Sequence, residues 1–220
     1  MSDVVLMSDP RVAAVPVEEC GEPLVDLRVD GRLLLDGRKE VDSGGAQLWL
    51  RRGVLERLVE AQGTLPDGLR LLFVEGYRPP ALQRRYFEGY ARELREARPE
   101  WSAEEVRTAA SRYVSPPEIA PHSAGAAVDL TLADGDGREL DLGTRMNANP
   151  EESAGACYTA AANISAEAAA NRAVLGAALV GAGLVNYPTE WWHWSYGDRY
   201  WALGTGAAAA CYGPVELEGC

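Results

Sequence analysis

Two histidines are present in the chain, and each lies in a segment that could supply ligands to a metal. His122 is followed by Asp129 within the stretch PHSAGAAVD, and His193 ends the stretch EWWH. Catalytic zinc takes three protein ligands, commonly imidazole nitrogens and carboxylate oxygens, and keeps a fourth position open. His122, Asp129 and His193 match that number and that chemistry. A lone histidine is, however, more often a packed or surface residue than a ligand, so the pattern alone leaves both interpretations open.

The chain between His122 and Asp129 must reverse direction if both side chains are to reach one metal. Fully extended, this stretch would separate its two ends by roughly 23 Å. Gly125 can adopt the backbone angles of a tight turn, so the reversal is expected there. The stretch 127–132 then alternates as a half-buried strand does. This alternation places Asp129 on the face opposite the apolar side chains, where a site could form.

Two further charged residues could do chemistry beside such a metal. Glu190 follows Pro188, which resists regular strand pairing, so its carboxylate could approach the metal from a bend. A carboxylate near a catalytic metal can act as a general base. Arg78 lies in a Gly-Tyr-Arg-Pro turn after a short apolar strand, where a fixed guanidinium could stabilise an oxyanion. Each has an ordinary alternative, since Glu190 could be a strand-end charge and Arg78 a structural ion-pair partner.

The hydrophobic pattern predicts the elements that would position these side chains. Apolar residues recur at helical spacing in several stretches, and short apolar or alternating stretches predict strands. Ser102 opens a capping box with Glu105, and Ser165 is the expected N-cap of the last long helix. The predicted helices cover about 46–62, about 81–97, a stretch beginning at Ser102, and about 165–181, and the predicted strands cover about 71–74, 127–132 and 191–196.

Helices before and between a few strands indicate an α+β domain. We expect a small, mostly antiparallel sheet flanked by helices. The chain has 220 residues, which is enough for a sizeable core, and we assign residues 1–220 to a single domain. Residues 1–45 are rich in Pro, Gly and Asp and are expected to form an irregular segment packed on that domain.

The charge balance excludes two classes of partner. The formal net charge is −12, and binding to nucleic-acid phosphates or to an anionic membrane surface needs a basic surface instead. The first residues lack the cationic start of a signal peptide, and no apolar stretch approaches the length of a membrane span. We therefore expect a cytoplasmic protein.

The cysteines do not indicate a metal site of their own. Cys20, Cys157, Cys211 and Cys220 form no C-x-x-C pair, which makes a thiolate zinc site unfavourable. In a reducing compartment they are expected to be free thiols.

Three segments together resemble the VanX-type D-alanyl-D-alanine dipeptidases, which belong to the zinc D,D-peptidase superfamily with a hedgehog-like fold. The segments are EGYRP (75–79), HSAGAAVDLTL (122–132) and EWWH (190–193), in the order of the family. The resemblance implies one zinc per chain on His122, Asp129 and His193. It also implies Glu190 as the catalytic base, Arg78 as the transition-state cation, and a cytoplasmic enzyme that splits the D-Ala-D-Ala dipeptide.

The resemblance weakens where the substrate would bind. Ala120 stands where VanX-type enzymes carry a serine, Asn147 stands in place of a carboxylate, and Val29 stands in place of a tyrosine. Loss of a carboxylate and a phenol would weaken capture of a free ammonium group. Two alternatives therefore remain: a related zinc peptidase acting on another small dipeptide or on peptidoglycan as a D,D-carboxypeptidase, and a non-catalytic binding module. Retention of Glu190 and Arg78 argues against the binding module.

Overall fold

A five-stranded sheet is the main sheet of the computed structural model, which describes residues 4–37 and 44–217. Its strands, in spatial order, are β2 (Leu34–Leu35), β4 (Arg70–Glu75), β5 (Ala127–Ala133), β7 (His193–Ser195) and β6 (Val185–Asn186). Strands β2 and β4 run parallel, and the other neighbouring pairs are antiparallel. The predicted α+β class with a small, mostly antiparallel sheet is confirmed.

A second, two-stranded sheet corrects one of the predicted helices. Strand β1 (Leu24–Asp26) pairs antiparallel with β3 (Trp49–Arg51). The helix predicted over 46–62 therefore begins only at Arg52, and a 3₁₀ turn, Ala46–Leu48, precedes β3. Apolar residues at helical spacing extend into β3, but pairing with β1 fixes its backbone. That pairing joins distant segments and is invisible in a local window of sequence.

The other long helices and their caps follow the sequence pattern. Ser102 and Glu105 form the predicted capping box, and the Ser165 side chain accepts a hydrogen bond from the Ala168 N–H. The strand predicted over 191–196 is shorter, because Trp191 and Trp192 belong to the turn before β7. The helices are α1 (Pro10–Ala14), α2 (Leu27–Asp30), α3 (Arg52–Thr64), α4 (Pro80–Ala97), α5 (Ala103–Ala110), α6 (Ala166–Gly181) and α7 (Arg199–Thr205).

The main core lies between one face of the sheet and the helices α3 and α6. Apolar side chains of β5 that alternate along the strand, including Val128 and Leu130, pack there with Leu58 of α3 and Leu179 of α6. Burying this much apolar surface is the main source of stability. Asp129 lies between these core positions in the sequence and therefore points to the other face of the sheet.

The N-terminal segment is less irregular than its composition suggests. It contains α1, β1, α2 and β2, and Met7 and Val12 are fully buried against Tyr187 and Tyr200. The stretches 1–3 and 38–43 of the predicted segment 1–45 lie outside the described residues.

Within residues 4–37 and 44–217, no helix is long and apolar enough to cross a membrane. Cys20, Cys157 and Cys211 are free thiols. Cys220 lies outside the described residues.

Candidate active site and metal centre

Three separate elements bring His122, Asp129 and His193 together. His122 lies on the 3₁₀ turn Pro121–Ala124, Asp129 lies in β5, and His193 begins β7 directly opposite Asp129 in the strand register. Gly125 makes the predicted reversal, with a φ of 64°. A β-carbon at that position would lie 2.3 Å from a methyl carbon of Leu24, so both the backbone angle and the close packing require glycine.

The three candidate ligand atoms have the separations that a small cation requires. Asp129 Oδ1 lies 3.0 Å from His193 Nδ1 and 3.4 Å from His122 Nε2, and those two nitrogens are 3.2 Å apart. Tetrahedral zinc, with bonds near 2.1 Å, would separate its ligand atoms by roughly 3.4 Å. In the described part of the chain, this is the only group of three or more His, Cys, Asp or Glu side chains that could hold a metal.

A hydrogen bond prepares His122 as a ligand. Its Nδ1 lies 2.6 Å from the Gly76 carbonyl oxygen, which can only accept, so Nδ1 carries the proton and donates. The Nε2 lone pair therefore faces the cluster, as metal ligation requires. It also faces an oxygen of Asp129, and a cation between these two electron-rich atoms would remove their repulsion. The donor set thus fits zinc.

Burial affects the protonation of the other two side chains. Removal from water lowers the pKa of His193, which favours the neutral imidazole that binds metals. Burial alone would raise the pKa of Asp129. When a proton instead of a cation lies between the imidazoles and the carboxylate, the charge and hydrogen bonds of His122 and His193 outweigh burial and hold the pKa of Asp129 well below its usual range. The carboxylate is therefore ionised and available as a ligand.

Glu190 lies beside the cluster and outside the set of candidate ligands. Its Oε2 is 3.8 Å from His193 Nδ1, and the residue is 7% exposed. A turn fixes this position, because the Glu190 N–H donates to the Tyr187 carbonyl at 2.9 Å. The Asn186 side chain strengthens the turn by donating to the carbonyls of Glu190 and His193, both at 3.0 Å. The carboxylate is thus held within reach of a water at the metal site.

Arg78 reaches the same site from the turn after β4. Its main-chain N–H donates to the His122 carbonyl at 3.1 Å, which links this turn to the histidine-bearing turn. Nε and Nη2 donate to the two carboxylate oxygens of Glu75 at 2.7 and 2.9 Å. Burial would lower the pKa of Arg78, but the Glu75 charge outweighs it and raises that pKa, so the side chain stays a cation.

A cavity of about 510 Å³ opens in front of these residues. Helix α4, the segment after α5 and the loop around residue 147 form its walls. Besides the candidate metal ligands, Glu190 and Arg78, its lining includes Tyr86, Tyr90, Tyr113, Arg145, Asn147 and Glu152. Its size lies within the range of ordinary small-ligand pockets.

Asn147 lines this cavity in an unusual backbone conformation. Its φ is 59°, a left-handed value that asparagine and aspartate adopt more readily than most other residues. The Tyr113 hydroxyl donates to the Asn147 carbonyl at 3.0 Å. Burial raises the pKa of Tyr113 to about 12, which keeps that hydroxyl protonated. The loop is therefore held with Asn147 at the cavity.

The structure does not bring the two other predicted substrate contacts to the cavity. Val29 is 86% exposed on α2 and lines a different surface depression. Ala120 is 2% exposed, and it packs behind the 3₁₀ turn in a separate small cavity. Of the three predicted substrate contacts, only Asn147 therefore lines the cavity that contains the candidate metal ligands.

Sequence reasoning missed three residues that shape the site. Glu75 and Gln83 hold the Arg78 guanidinium, and Tyr113 holds the loop at Asn147. Glu75 belongs to the EGYRP segment, and an acidic residue three positions before an arginine could have indicated an ion pair between them. Gln83 and Tyr113 have no comparable signal, because their partners come from other elements.

Two known proteins with similar sequences are D-alanyl-D-alanine dipeptidases. The chain is 29% identical to a D-alanyl-D-alanine dipeptidase of Synechocystis sp., over 86% of this chain and 87% of the relative. A D-alanyl-D-alanine dipeptidase of Escherichia coli is 38% identical over 33% of this chain and 35% of the relative. Among solved structures, the LdcB LD-carboxypeptidase matches with a TM-score of 0.48 and 17% identity, covering 86% of this chain and 76% of LdcB.

The family comparison covers most of the chain. Residues 37–205 match the D-ala-D-ala dipeptidase family of peptidases, and this range includes every candidate ligand as well as Arg78 and Glu190. Members of the family depend on zinc, in agreement with the donor set of the cluster. The chain therefore belongs to the D-ala-D-ala dipeptidase family of zinc metallopeptidases.

Proposed function

We propose that this protein hydrolyses the D-Ala-D-Ala dipeptide, with zinc held by His122, Asp129 and His193. The observation that carries the proposal is the closeness of the three ligand atoms, 3.0–3.4 Å apart, in a cavity that also exposes Glu190 and Arg78. We expect one zinc per chain, since residues 4–37 and 44–217 contain one such cluster.

Bound zinc would act as a Lewis acid that activates water and polarises the scissile carbonyl. Glu190 accepts the proton that the attacking water loses and passes it to the departing amine nitrogen. Arg78 donates hydrogen bonds to the oxygen that becomes negative as the tetrahedral intermediate forms. Because the cationic charge of Arg78 is maintained by Glu75, it is in place before the substrate arrives.

A second candidate function is hydrolysis of another small peptide, or of a peptidoglycan end, by the same residues. Asn147 is neutral where VanX-type enzymes carry a carboxylate, so it attracts a free ammonium less strongly. The cavity of about 510 Å³ is as large as pockets that accept drug-sized ligands, which leaves room beyond a dipeptide. Both features would permit substrates whose amino end is blocked or extended.

A comparison of three substrates tests the proposal. Zinc-loaded protein is expected to release D-alanine from D-Ala-D-Ala and to leave L-Ala-L-Ala intact. Cleavage of N-acetyl-D-Ala-D-Ala with a higher kcat/KM than the free dipeptide would favour the second candidate. Absence of hydrolysis of all three, with one zinc bound, would reject D-Ala-D-Ala hydrolysis and leave another peptide substrate or a binding module.

Replacing His122 or His193 by alanine is expected to remove the zinc. Each change deletes one of the three protein ligands, and two remaining ligands hold the cation far less firmly. Elemental analysis after gel filtration should give about one zinc per chain for the parent and far less for either variant. Full zinc occupancy in the double variant would show that the metal is bound elsewhere.

Replacing Asn147 by aspartate is expected to lower KM for D-Ala-D-Ala by about tenfold. A charge-assisted hydrogen bond contributes roughly 1.5–3 kcal/mol against about 1 kcal/mol for a neutral one, and about 1.4 kcal/mol corresponds to a factor of ten. Aspartate also tolerates the left-handed backbone of this position. Steady-state kinetics on both proteins measures the change. Equal KM values would show that residue 147 does not contact the amino end.

A further inference from the structure

Gln83 has a buried side-chain amide that contacts the guanidinium of Arg78. It lies in the first turn and a half of α4 and is 1% exposed. Its Oε1 accepts a hydrogen bond from Arg78 Nη1 at 2.8 Å, and its Nε2 donates to the Ser115 carbonyl at 2.7 Å. Because the Ser115 carbonyl can only accept, it fixes the amide with its oxygen turned toward the guanidinium.

The guanidinium is consequently held from two sides. Arginine has five N–H donors, and Glu75 takes one from Nε and one from Nη2 while Gln83 takes one from Nη1. Two donors remain for a substrate oxygen. Tyr86 adds a third restraint, since its ring centre lies 5.2 Å from the Arg78 Cζ. Glu75 binds only the Nε and Nη2 edge of the planar group, and Gln83 restrains its Nη1 end.

We propose that Gln83 is a positioning residue that aims the two remaining N–H donors of Arg78 at the transition-state oxygen. This inference rests on the role proposed above for Arg78. Preorganised donors lower the activation barrier because they need not reorient as charge develops. Loss of the Gln83 acceptor therefore raises the barrier of the chemical step and leaves the binding of the ground-state substrate nearly unchanged.

Replacing Gln83 by methionine tests this role, since methionine has a similar length and no strong acceptor. We expect kcat to fall about tenfold, equivalent to about 1.4 kcal/mol, with KM and zinc content unchanged. The matched control is Gln62→Met. Gln62 also lies on a helix, and its amide donates to the Leu69 carbonyl and accepts from the Leu71 N–H, but Gln62 does not line the cavity. This control should keep the parent kcat.

The same change in an Arg78→Ala background separates positioning from a general structural effect. If Gln83 acts through Arg78, the second substitution should lower kcat no further, because the two effects are coupled. An equal tenfold loss in both backgrounds would overturn the proposal. An unchanged kcat in Gln83→Met, with a large loss in Arg78→Ala, would reject Gln83 and leave the proposed function intact. An unchanged kcat in Arg78→Ala would reject the role of Arg78 itself.

A conservative variant completes the test and also serves if Gln83→Met fails to fold. A glutamate at this position would meet Arg78, whose charge favours the ionised form, but burial near Glu75 and contact with the Ser115 carbonyl favour the protonated form, which we expect to prevail. It could then donate to Ser115 and still accept from Arg78 Nη1. Gln83→Glu should keep kcat within about threefold of the parent. A loss of tenfold or more would show that the acceptor oxygen is not what Arg78 requires.

Discussion

Replacing Glu190 by glutamine is expected to lower kcat for D-Ala-D-Ala by about 10²–10⁴-fold, while one zinc per chain is retained. Glutamine keeps the size of the side chain but cannot accept the proton from water. The zinc should stay, because Glu190 lies 3.8 Å from His193 Nδ1 and is not one of the three clustered ligands. Steady-state kinetics and elemental analysis on the same preparation measure both effects.

Glu93→Gln provides the matched control for this change. Glu93 is an exposed carboxylate of α4 that lines the outer part of the same cavity. Its replacement also removes one negative charge and should leave kcat within a few-fold of the parent. Near-normal turnover in Glu190→Gln would show that another group takes the proton. Loss of zinc in that variant would show instead that Glu190 helps to bind the metal.

Replacing Arg78 by alanine is expected to lower kcat by about 10²–10³-fold, the usual effect of losing one oxyanion donor. It should also destabilise the fold. Glu75 is fully buried, and removing one partner of a buried ion pair costs about 3–5 kcal/mol. In a protein of this size that corresponds to a fall in Tm of roughly 6–20 °C. Kinetics at saturating substrate and thermal unfolding followed by circular dichroism measure the two effects.

The double variant Glu75→Gln/Arg78→Ala separates catalysis from stability. It removes both charges of the pair, so most of the lost Tm should return, because no uncompensated charge stays buried. Activity should remain low, because the donor to the transition state is still missing. Recovery of kcat together with Tm would mean that Arg78 acts only by stabilising the fold.

The residues that form the candidate site were largely predictable from the sequence, because their chemistry is concentrated in short segments. His122 and Asp129 are joined by one turn and one strand, so Gly125 and the alternating pattern were enough to place them on the same side. His193 and Glu190 are close neighbours in the chain. The pairing of Asp129 with His193 across two strands was not predictable locally, since the strand register depends on the whole sheet.

Contacts between distant segments account for the wrong predictions. Strand β3 was predicted as part of a helix. Its pairing partner, β1, lies in the N-terminal segment that the composition predicted to be irregular. The family resemblance implied a substrate contact at Val29, whereas the structure places this residue exposed on α2. Gln83 resembled any polar residue on an amphipathic helix, and only the position of Ser115 reveals its orientation.

The separation of the metal ligands along the chain has a consequence for folding. His122 and His193 are 71 residues apart, and Asp129 and His193 are 64 residues apart. Closing loops of this length costs chain entropy that is recovered only after the strands have paired. We therefore expect the unfolded chain to offer no complete site and zinc to bind after the strands have paired. Because the ion binds only the folded protein, free zinc would raise the free energy of unfolding, and unfolding would release the ion.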